Sequence, residues 1–207
     1  MKVTAPLLSL DASGSLGGTI VASKWKGRNY MRRLVTPSNP RSPTQVSTRA
    51  VMRFLSTVWA TLDPVTVQSE WDALGAQGNY SPFNAFTRFN LMKWTQFQFP
   101  TQIRSTASTT APSVPTLAVT GGVGQAQISI GYTLLHDGWA IALFRDTMNS
   151  FTQARDNLVY MAPITANPTI IVDTPVTPGT WWYSAIMFTT TGLNYSGGSV
   201  YASGVVT

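Results

Sequence analysis

The sequence predicts an α+β protein with more than one domain, in which a small helical unit precedes an all-β sandwich. Between residues 43 and 97, apolar side chains recur every three or four positions, the period of a helix packed on one face. From residue 116 the pattern changes to short runs of Val, Ile, Thr and aromatic residues, which are typical of strands. Residues 100–111, rich in Ser, Thr, Pro and Ala, are predicted to be the linker between the two patterns.

The N-terminal end is predicted to be a flexible arm over residues 1–19, because Gly, Ser and Leu dominate it without helical periodicity. Two β-branched and aromatic runs follow on either side of Gly27, a spacing that suits a short hairpin with Gly27 at the turn. The next segment, "TPSNPRSPTQ", contains three prolines and is predicted to be an extended connector. The hairpin and the helices together make up the first predicted domain, residues 20–99.

Three helix starts carry the same signal, a capping side chain followed by proline at the first helical position. The three pairs are Ser42-Pro43, Asp63-Pro64 and Ser81-Pro82. They predict helices that run to Leu62, over about 64–76 and over about 82–97. Gln45, three positions after Ser42, predicts a capping box at the first of them.

The second predicted domain covers residues 112–207 and consists of seven strands. Their sequences are "TLAVT", "AQISIGYT", "WAIALFRD", "LVYMAP", "TIIVDT", "TWWYSAIMFTT" and "SVYASGVV". Turn sequences such as "GGVG", "LHDG" and "TPVTPG" separate them. Strands and turns at this spacing are typical of a β-sandwich.

The composition limits the classes of function. Charged residues form 11% of the chain, against about 25% in a usual globular protein, so we expect partners to cover much of the surface. Residues 1–104 hold 12 of the 14 Lys and Arg but 4 of the 8 Asp and Glu, so the basic character belongs to this half. With no cysteine, disulfides and thiolate sites are excluded. Apolar runs are too short for a membrane span, and Pro6 and Asp11 interrupt any signal peptide, so no membrane association is expected.

Signs of catalysis are missing from the sequence. The single histidine, His136, lies beside Asp137 in a predicted turn and has no partners at the spacing of a hydrolase triad or a zinc site. "GGVGQA" at residue 121 precedes a strand, whereas a phosphate-binding glycine loop opens a helix. The sequence therefore predicts no enzyme activity, no cofactor and no metal.

The most distinctive segment is "SKWKGRNYMRRLV", residues 23–35, which holds five basic and two aromatic residues. One interpretation is a clamp on another protein, because hairpins add strands to a neighbour's sheet and Arg and aromatic residues dominate interface hot spots. The other is nucleic-acid binding, with cations on phosphates and aromatics stacked on bases. The predicted partner-binding residues are Lys24, Trp25, Lys26, Arg28, Tyr30, Arg32, Arg33 and Arg41.

A further candidate surface is the loop "GLNYSGG", residues 192–198, with Asn194 and Tyr195. Its composition is that of a binding loop, and it would lie on the outer surface of the sandwich. Ordinary turn chemistry explains the same residues, so both interpretations stay open here.

The second half resembles a fibronectin type III or related immunoglobulin-like module. The residues that carry the resemblance are "PSVPTLAVT" and "VDTPVTPGTWWYSAIMFTTTGLNYSGGSV". The resemblance implies an immunoglobulin-like sandwich over residues 112–207. It also implies that Trp182 or Tyr183 occupies the position of that family's corner tyrosine.

The first half resembles a family of bacteriophage and prophage proteins associated with the virion. Four blocks carry the resemblance in order: "GSLGGTIVASKWKGRNYMRR", "PSNPRSPTQ", "LDPVTVQSEWDAL" and "SPFNAFTRFN". It implies a virion structural protein, made in the host cytoplasm, with the major capsid protein, other virion proteins and further copies of itself as partners. The expected role is capsid decoration, anchored by the basic N-terminal half.

This resemblance favours the protein clamp over the nucleic-acid interpretation of the basic segment. The alternatives to capsid decoration are a tail or head–tail connector component, a host-surface adhesin and a nucleic-acid-binding protein.

Overall fold

The computed structural model describes residues 14–25, 28–36, 39, 41–103, 110–133, 138–191 and 194–207. Its internal contacts divide the chain into two compact units, Met1–Pro40 and Arg41–Thr207. The boundary therefore lies near residue 40. This division differs from the predicted one, in which a linker at 100–111 separates domains 20–99 and 112–207.

The first unit is a small antiparallel sheet. Its strands are β1 (Gly14–Leu16), β2 (Ile20–Trp25) and β3 (Arg28–Arg33), with β2 in the centre. The pairing of β2 with β3 agrees with the predicted hairpin, whose turn at Gly27 lies outside the described residues. The last part of the predicted arm is a strand instead, since Gly17 and Gly18 turn the chain at positive φ (57° and 66°) and pair β1 with β2.

The second unit begins with helices, whose starts are only partly as predicted. They are α1 (Pro43–Thr61), a short 3₁₀ helix (Gln68–Trp71), α2 (Asp72–Gly78) and α3 (Pro82–Thr95). The Ser81 hydroxyl accepts a hydrogen bond from the Asn84 backbone N–H at 3.2 Å and caps α3 as predicted. Ser42 makes no such side-chain bond, so the predicted capping box with Gln45 is wrong.

The predicted helix over 64–76 begins later than its proline signal indicated. The Asp63 carboxylate accepts hydrogen bonds from the Val65 N–H (2.9 Å) and the Thr66 hydroxyl (2.8 Å), and these bonds lower the pKa of Asp63. They hold a turn at residues 63–66. Val65 and Thr66 are also β-branched, which lowers their helix propensity. Regular α-helix therefore starts only at Asp72.

Seven predicted strands are confirmed within the described part of residues 110–207. They are β4 (Thr116–Gly122), β5 (Gln125–Gly131), β6 (Trp139–Asp146), β7 (Leu158–Pro163), β8 (Thr169–Asp173), β9 (Gly179–Thr189) and β10 (Ala202–Val206). The sheets have the strand orders β4-β5-β8 and β10-β9-β6-β7, and all neighbours are antiparallel. Two such sheets packed together form a sandwich of the immunoglobulin-like architecture.

The sheet β10-β9-β6-β7 is the middle layer of three, because both of its faces are covered. One face packs on the helices, in a core that includes Val51, Phe54, Leu55, Phe86, Trp94, Ala140, Ala142, Phe144, Ile186 and Phe188. The other face packs on β5 and β8, in a core that includes Ile128, Ile130, Ile141, Leu143, Ile171, Tyr183, Ala185 and Met187. The helices therefore share a core with the sandwich. Residues 104–109 of the predicted linker lie outside the described residues.

The two sheets join along β4 and β10, where the backbones are almost in contact. A Cβ on Gly121 would lie 1.8 Å from the Val205 carbonyl oxygen, so only glycine fits there. Thr207 accepts a hydrogen bond from the Gly124 N–H (2.9 Å) and donates one to the Gly122 carbonyl (3.2 Å). This junction covers one side of the sandwich and leaves β8 and β7 as the strands at the other side.

The corner before β9 differs in detail from the predicted one. The Trp181 indole N–H donates to the Thr177 carbonyl at 2.9 Å, so Trp181, rather than Trp182 or Tyr183, makes the return bond to the preceding backbone. The Tyr183 hydroxyl instead donates to Asp173 Oδ2 at 3.1 Å. Burial, together with the Asp173 carboxylate, raises the pKa of Tyr183, so its hydroxyl stays protonated as a donor.

Candidate functional site

The sheet of β1, β2 and β3 holds most of the residues predicted to bind a partner, and its register decides which face each one occupies. Directly opposed residues of antiparallel strands share a face, and successive residues alternate between faces. Val21 is opposite Arg32, whereas Ile20 is opposite Arg33. Arg32 and Arg33 therefore lie on opposite faces of the sheet.

Each face combines basic and apolar or aromatic residues. The face of Arg32 also carries Tyr30, which is opposite Ser23. The face of Arg33 also carries Met31, and register places Lys24 on it. The single basic strip expected from the sequence is thus two surfaces, back to back.

The side chains described in this sheet lack a core of their own. None of those described within residues 14–36 is buried, and Val21, Ala22 and Ser23 are half-buried at most. Met31 is 48% exposed and Val35 is 69% exposed. A small sheet with an uncovered apolar face is marginally stable by itself, so this one has the character of a surface that a partner covers.

The outer strand offers main-chain hydrogen bonds as well as side chains. Among the described residues, β3 pairs only with β2, and the Leu34 N–H after it donates to the Thr19 carbonyl at 2.7 Å. Alternate N–H and C=O groups of β3 therefore point away from the sheet. Such an edge can receive a strand from a neighbouring chain.

The predicted site residues fall into three groups. Lys24, Trp25, Arg28, Tyr30, Arg32 and Arg33 are in the sheet, Lys26 lies outside the described residues, and Arg41 belongs to the second compact unit. The Arg41 guanidinium donates to the Thr174 carbonyl at 3.4 Å, and its backbone is at positive φ (52°). Arg41 is therefore described with the second unit and the other described residues of this set with the first.

The predicted outer-surface loop is tied to β9. The Asn194 carbonyl accepts a hydrogen bond from the Thr189 N–H at 2.9 Å, and Tyr195 forms a bridge with Phe188. Asn194 is half-buried, whereas Tyr195 is 60% exposed and its ring lies 5.5 Å from that of Phe99. Of the two predicted residues, Tyr195 is the one that faces solvent.

The described residues hold no cluster that points to catalysis or metal binding. In that part of the chain, no group of three or more His, Cys, Asp or Glu side chains comes close enough to hold a metal ion. His136 and Asp137 lie outside the described residues. No helix of the described structure has the length and apolar character needed to cross a bilayer.

Comparisons with known proteins give similarities only at the level of solved structures. No protein-family model matches the chain, and no curated protein matches it. A β-1,2-glucanase from Parabacteroides distasonis is 17% identical over 50% of this chain and 14% of its own, with a TM-score of 0.40. The fibronectin type III domain of human fibronectin type III domain containing protein 3 is 13% identical over 50% of this chain and 94% of its own, with a TM-score of 0.32.

The FN1–FN3 domains of chicken CNTN1 are also similar, at 12% identity over 50% of this chain and 36% of their own, with a TM-score of 0.33. The chain thus spans less than two thirds of the glucanase and of the chicken protein. At these TM-scores the similarities carry no argument about activity or partners. The description of residues 110–207 as a sandwich rests instead on the observed strand orders β4-β5-β8 and β10-β9-β6-β7.

Proposed function

We propose that this chain is a structural protein of a bacteriophage particle, anchored to its neighbours by the sheet of β1, β2 and β3. The observation that carries the proposal is the absence of any buried side chain among those described in residues 14–36. Three short strands with Tyr30 41% exposed and Met31 48% exposed need a further apolar surface to be stable. Binding to a partner would supply that surface.

The chemistry of the sheet favours an acidic partner. Lys24 and Arg33 lie on one face and Arg32 lies on the other, so a neighbour meets cations on whichever face it covers. Arg and Tyr are residue types enriched at interface hot spots. The edge of β3 adds main-chain hydrogen bonds, which fix the register of a docked strand.

The phage context of the proposal rests on the four sequence blocks of the N-terminal half and on the charge-poor composition. With 11% charged residues, the surface is more typical of a subunit in an assembly than of a free monomer. We infer capsid decoration. The major capsid protein would be the neighbour, and the second unit, Arg41–Thr207, would be displayed outward. Closed contacts between copies would accompany it, as in other symmetric assemblies.

The direct test is the composition of particles from the phage or prophage that encodes the chain. After purification, quantitative mass spectrometry would measure the copies of this chain relative to the major capsid protein. A copy number comparable with that of the capsid protein is the expected result. A few copies per particle would favour a tail, connector or host-adhesin role instead, and absence from intact particles would contradict the proposal.

Nucleic-acid binding is the second candidate, and the position of Tyr30 and Arg32 on one face of β3 favours it. Cationic and aromatic side chains on one surface can bind single strands through phosphates and stacked bases. Its affinity would fall steeply with salt, because phosphate contacts release counterions. A salt titration with labelled single- and double-stranded DNA separates the candidates, and no detectable binding at about 50 mM salt excludes this one.

A further inference from the structure

One strand of the second unit has an open edge. Within the described residues β8 (Thr169–Asp173) pairs only with β5, so alternate N–H and C=O groups of β8 point away from the sheet. A cavity of about 250 Å³ lies beside this edge at Ile171–Thr174, and residues of α1 and β7 form its other walls. The edge therefore has main-chain groups and adjoining space for an added strand.

β8 lacks the features with which edge strands usually avoid pairing. Its register with β5 is unbroken over five residues, so no bulge bends it, and it contains neither lysine nor arginine. Ile170 is 58% exposed and Val172 is 50% exposed, on either side of the buried Ile171. Two β-branched apolar side chains thus face solvent on an unprotected strand.

The sequence of β8, "TIIVD", is complementary to itself in the antiparallel direction. In a pair of β8 strands centred on Ile171, Ile170 is opposite Val172 of the second copy, and Thr169 is opposite Asp173. The exposed β-branched side chains would then pack on each other across the two strands, and such cross-strand pairs stabilise a sheet. This register opposes no like charges.

The edges of β3 and β7 suit a second copy less well. β3 holds three arginines among six residues, so pairing it with a second β3 would bring like charges together. The pairing of β7 with β6 has a register shift at Leu143 and Phe144, and β7 ends in Pro163, which has no N–H to donate. Of these three edges, β8 is the one that a second copy can extend without opposed arginines or a bulge.

The charges around the cavity do not oppose such a two-fold contact. Residues of both signs line the cavity, namely Arg41, Arg49, Arg53 and Asp173. It lies beside the C-terminal half of β8, from Ile171 onward. A two-fold axis at Ile171 would therefore place the cavities of the two copies on opposite sides of the axis, and the contact needs no free charge in either copy.

We propose that β8 forms a contact between two copies of this chain, in which the β8 strands pair antiparallel and join two three-stranded sheets into one of six strands. The same strand serves both copies, so the contact closes at two copies. For its biological setting it rests on the proposed function, which expects further copies as partners. The contact lies wholly within Arg41–Thr207, so purified protein tests it without particles, and its failure is distinguishable from a failure of the anchoring role.

The first test is the oligomeric state of the full chain in solution. Pro168 and Pro175 flank β8, so the paired part is about 17 Å long and the contact belongs to the small, weak class of interfaces. Sedimentation velocity from about 10 µM to about 1 mM should show monomers that become dimers as the concentration rises. Monomers throughout this range would contradict the contact.

Two double variants locate the contact at β8. Ile170→Lys with Val172→Lys places lysines opposite each other and should abolish the dimer, whereas Ile170→Lys with Val172→Glu places lysine opposite glutamate and should keep it. The control, Thr120→Lys, adds a charge to the exposed face of β4, two strands from the edge, and should dimerise like the wild type. An unchanged dimer in the double-lysine variant would overturn the contact. So would an equal loss in both double variants with wild-type thermal stability.

Cysteine cross-linking tests the register, because the chain contains no cysteine of its own. A mixture of Ile170→Cys and Val172→Cys chains should form disulfide-linked dimers under mild oxidation, since directly opposite residues of antiparallel strands are at disulfide distance. Each variant alone should cross-link less, because its two cysteines would lie diagonally across the axis. Equal cross-linking in all three samples would show that the strands do not pair around Ile171.

Discussion

The ring of Phe54 on α1 meets the ring of Phe188 on β9 edge to face, with 5.6 Å between the ring centres. Phe54 is 2% exposed and Phe188 is fully buried. One residue comes from the predicted helical domain and the other from the predicted sandwich. Their contact makes the helices and the sandwich a single folding unit.

Replacing Phe54 with alanine should therefore destabilise helices and strands together. The loss of a buried phenylalanine ring should lower the free energy of unfolding by about 3–5 kcal/mol. Urea unfolding, followed both by far-UV circular dichroism of the helices and by hydrogen exchange of β6, checks this. Met92→Ala, at a side chain that is 59% exposed, is the control and should change stability little. Two separate transitions in the wild-type protein would contradict the shared core.

The junction of β4 with β10 should tolerate no side chain at Gly121. Gly121→Ala places a Cβ against the Val205 carbonyl and should cost about 1–3 kcal/mol, because the two strands must move apart. Gly122→Ala is the matched control, since its Cβ would lie at an ordinary 3.5 Å from the Gln125 side chain. Thermal unfolding of the two variants compares them. Equal melting temperatures would show that the junction is looser than described.

Asn90 should contribute more to the free energy of unfolding than the exposed polar residues of α3. Its buried amide donates to the Phe86 carbonyl (3.2 Å) and the Thr101 carbonyl (3.0 Å) and accepts from the Thr101 N–H (2.8 Å). Asn90→Ala leaves the Thr101 backbone groups buried without partners and should cost about 2–3 kcal/mol. The exposed Asn84 on the same helix is the control. A loss no larger than that of Asn84→Ala in urea unfolding would refute the structural role.

The sheet of β1, β2 and β3 should bind the particle through its charges, and changing those charges should not affect the fold of Arg41–Thr207. Reversal of Arg32 and Arg33 to glutamate, singly and together, changes one face or both faces of the sheet. We expect the double variant to lose binding to purified particles while the unfolding of residues 41–207 stays unchanged. The single variants then identify the face that the partner covers. Normal particle binding by the double variant would exclude a role for these charges.

Local patterns in the sequence were sufficient to predict the strands. Runs such as Trp139–Asp146 and Leu158–Pro163 match the observed bounds, because β-branched and aromatic residues between turn residues describe a strand locally. The three-layer arrangement was not predicted, since it depends on which faces meet. One signal was present: residues 139–144 are apolar without alternation, which is typical of a strand buried on both faces.

The candidate site was predicted by composition but not by geometry. The cluster of cations in residues 23–35 is visible in the sequence, whereas the separation of Arg32 from Arg33 follows from strand pairing. The cavity beside β8 could not be predicted, because Arg49 and Arg53 on α1 are distant in sequence from Val172 on β8 and line one cavity with it only when α1 packs on the sandwich. The sequence indicated only that Arg49 and Arg53, four residues apart, lie on the same face of a helix.

The most direct test of the anchoring role is a truncation that removes residues 1–35 and keeps the second unit, Arg41–Thr207, whole. Particles lacking the chain would be mixed with the truncated or the full-length protein, and the bound copies would be counted after sedimentation. The anchoring role predicts that the full-length protein binds and that the truncated protein, with unchanged unfolding of residues 41–207, stays in the supernatant. Equal binding of both proteins would contradict it.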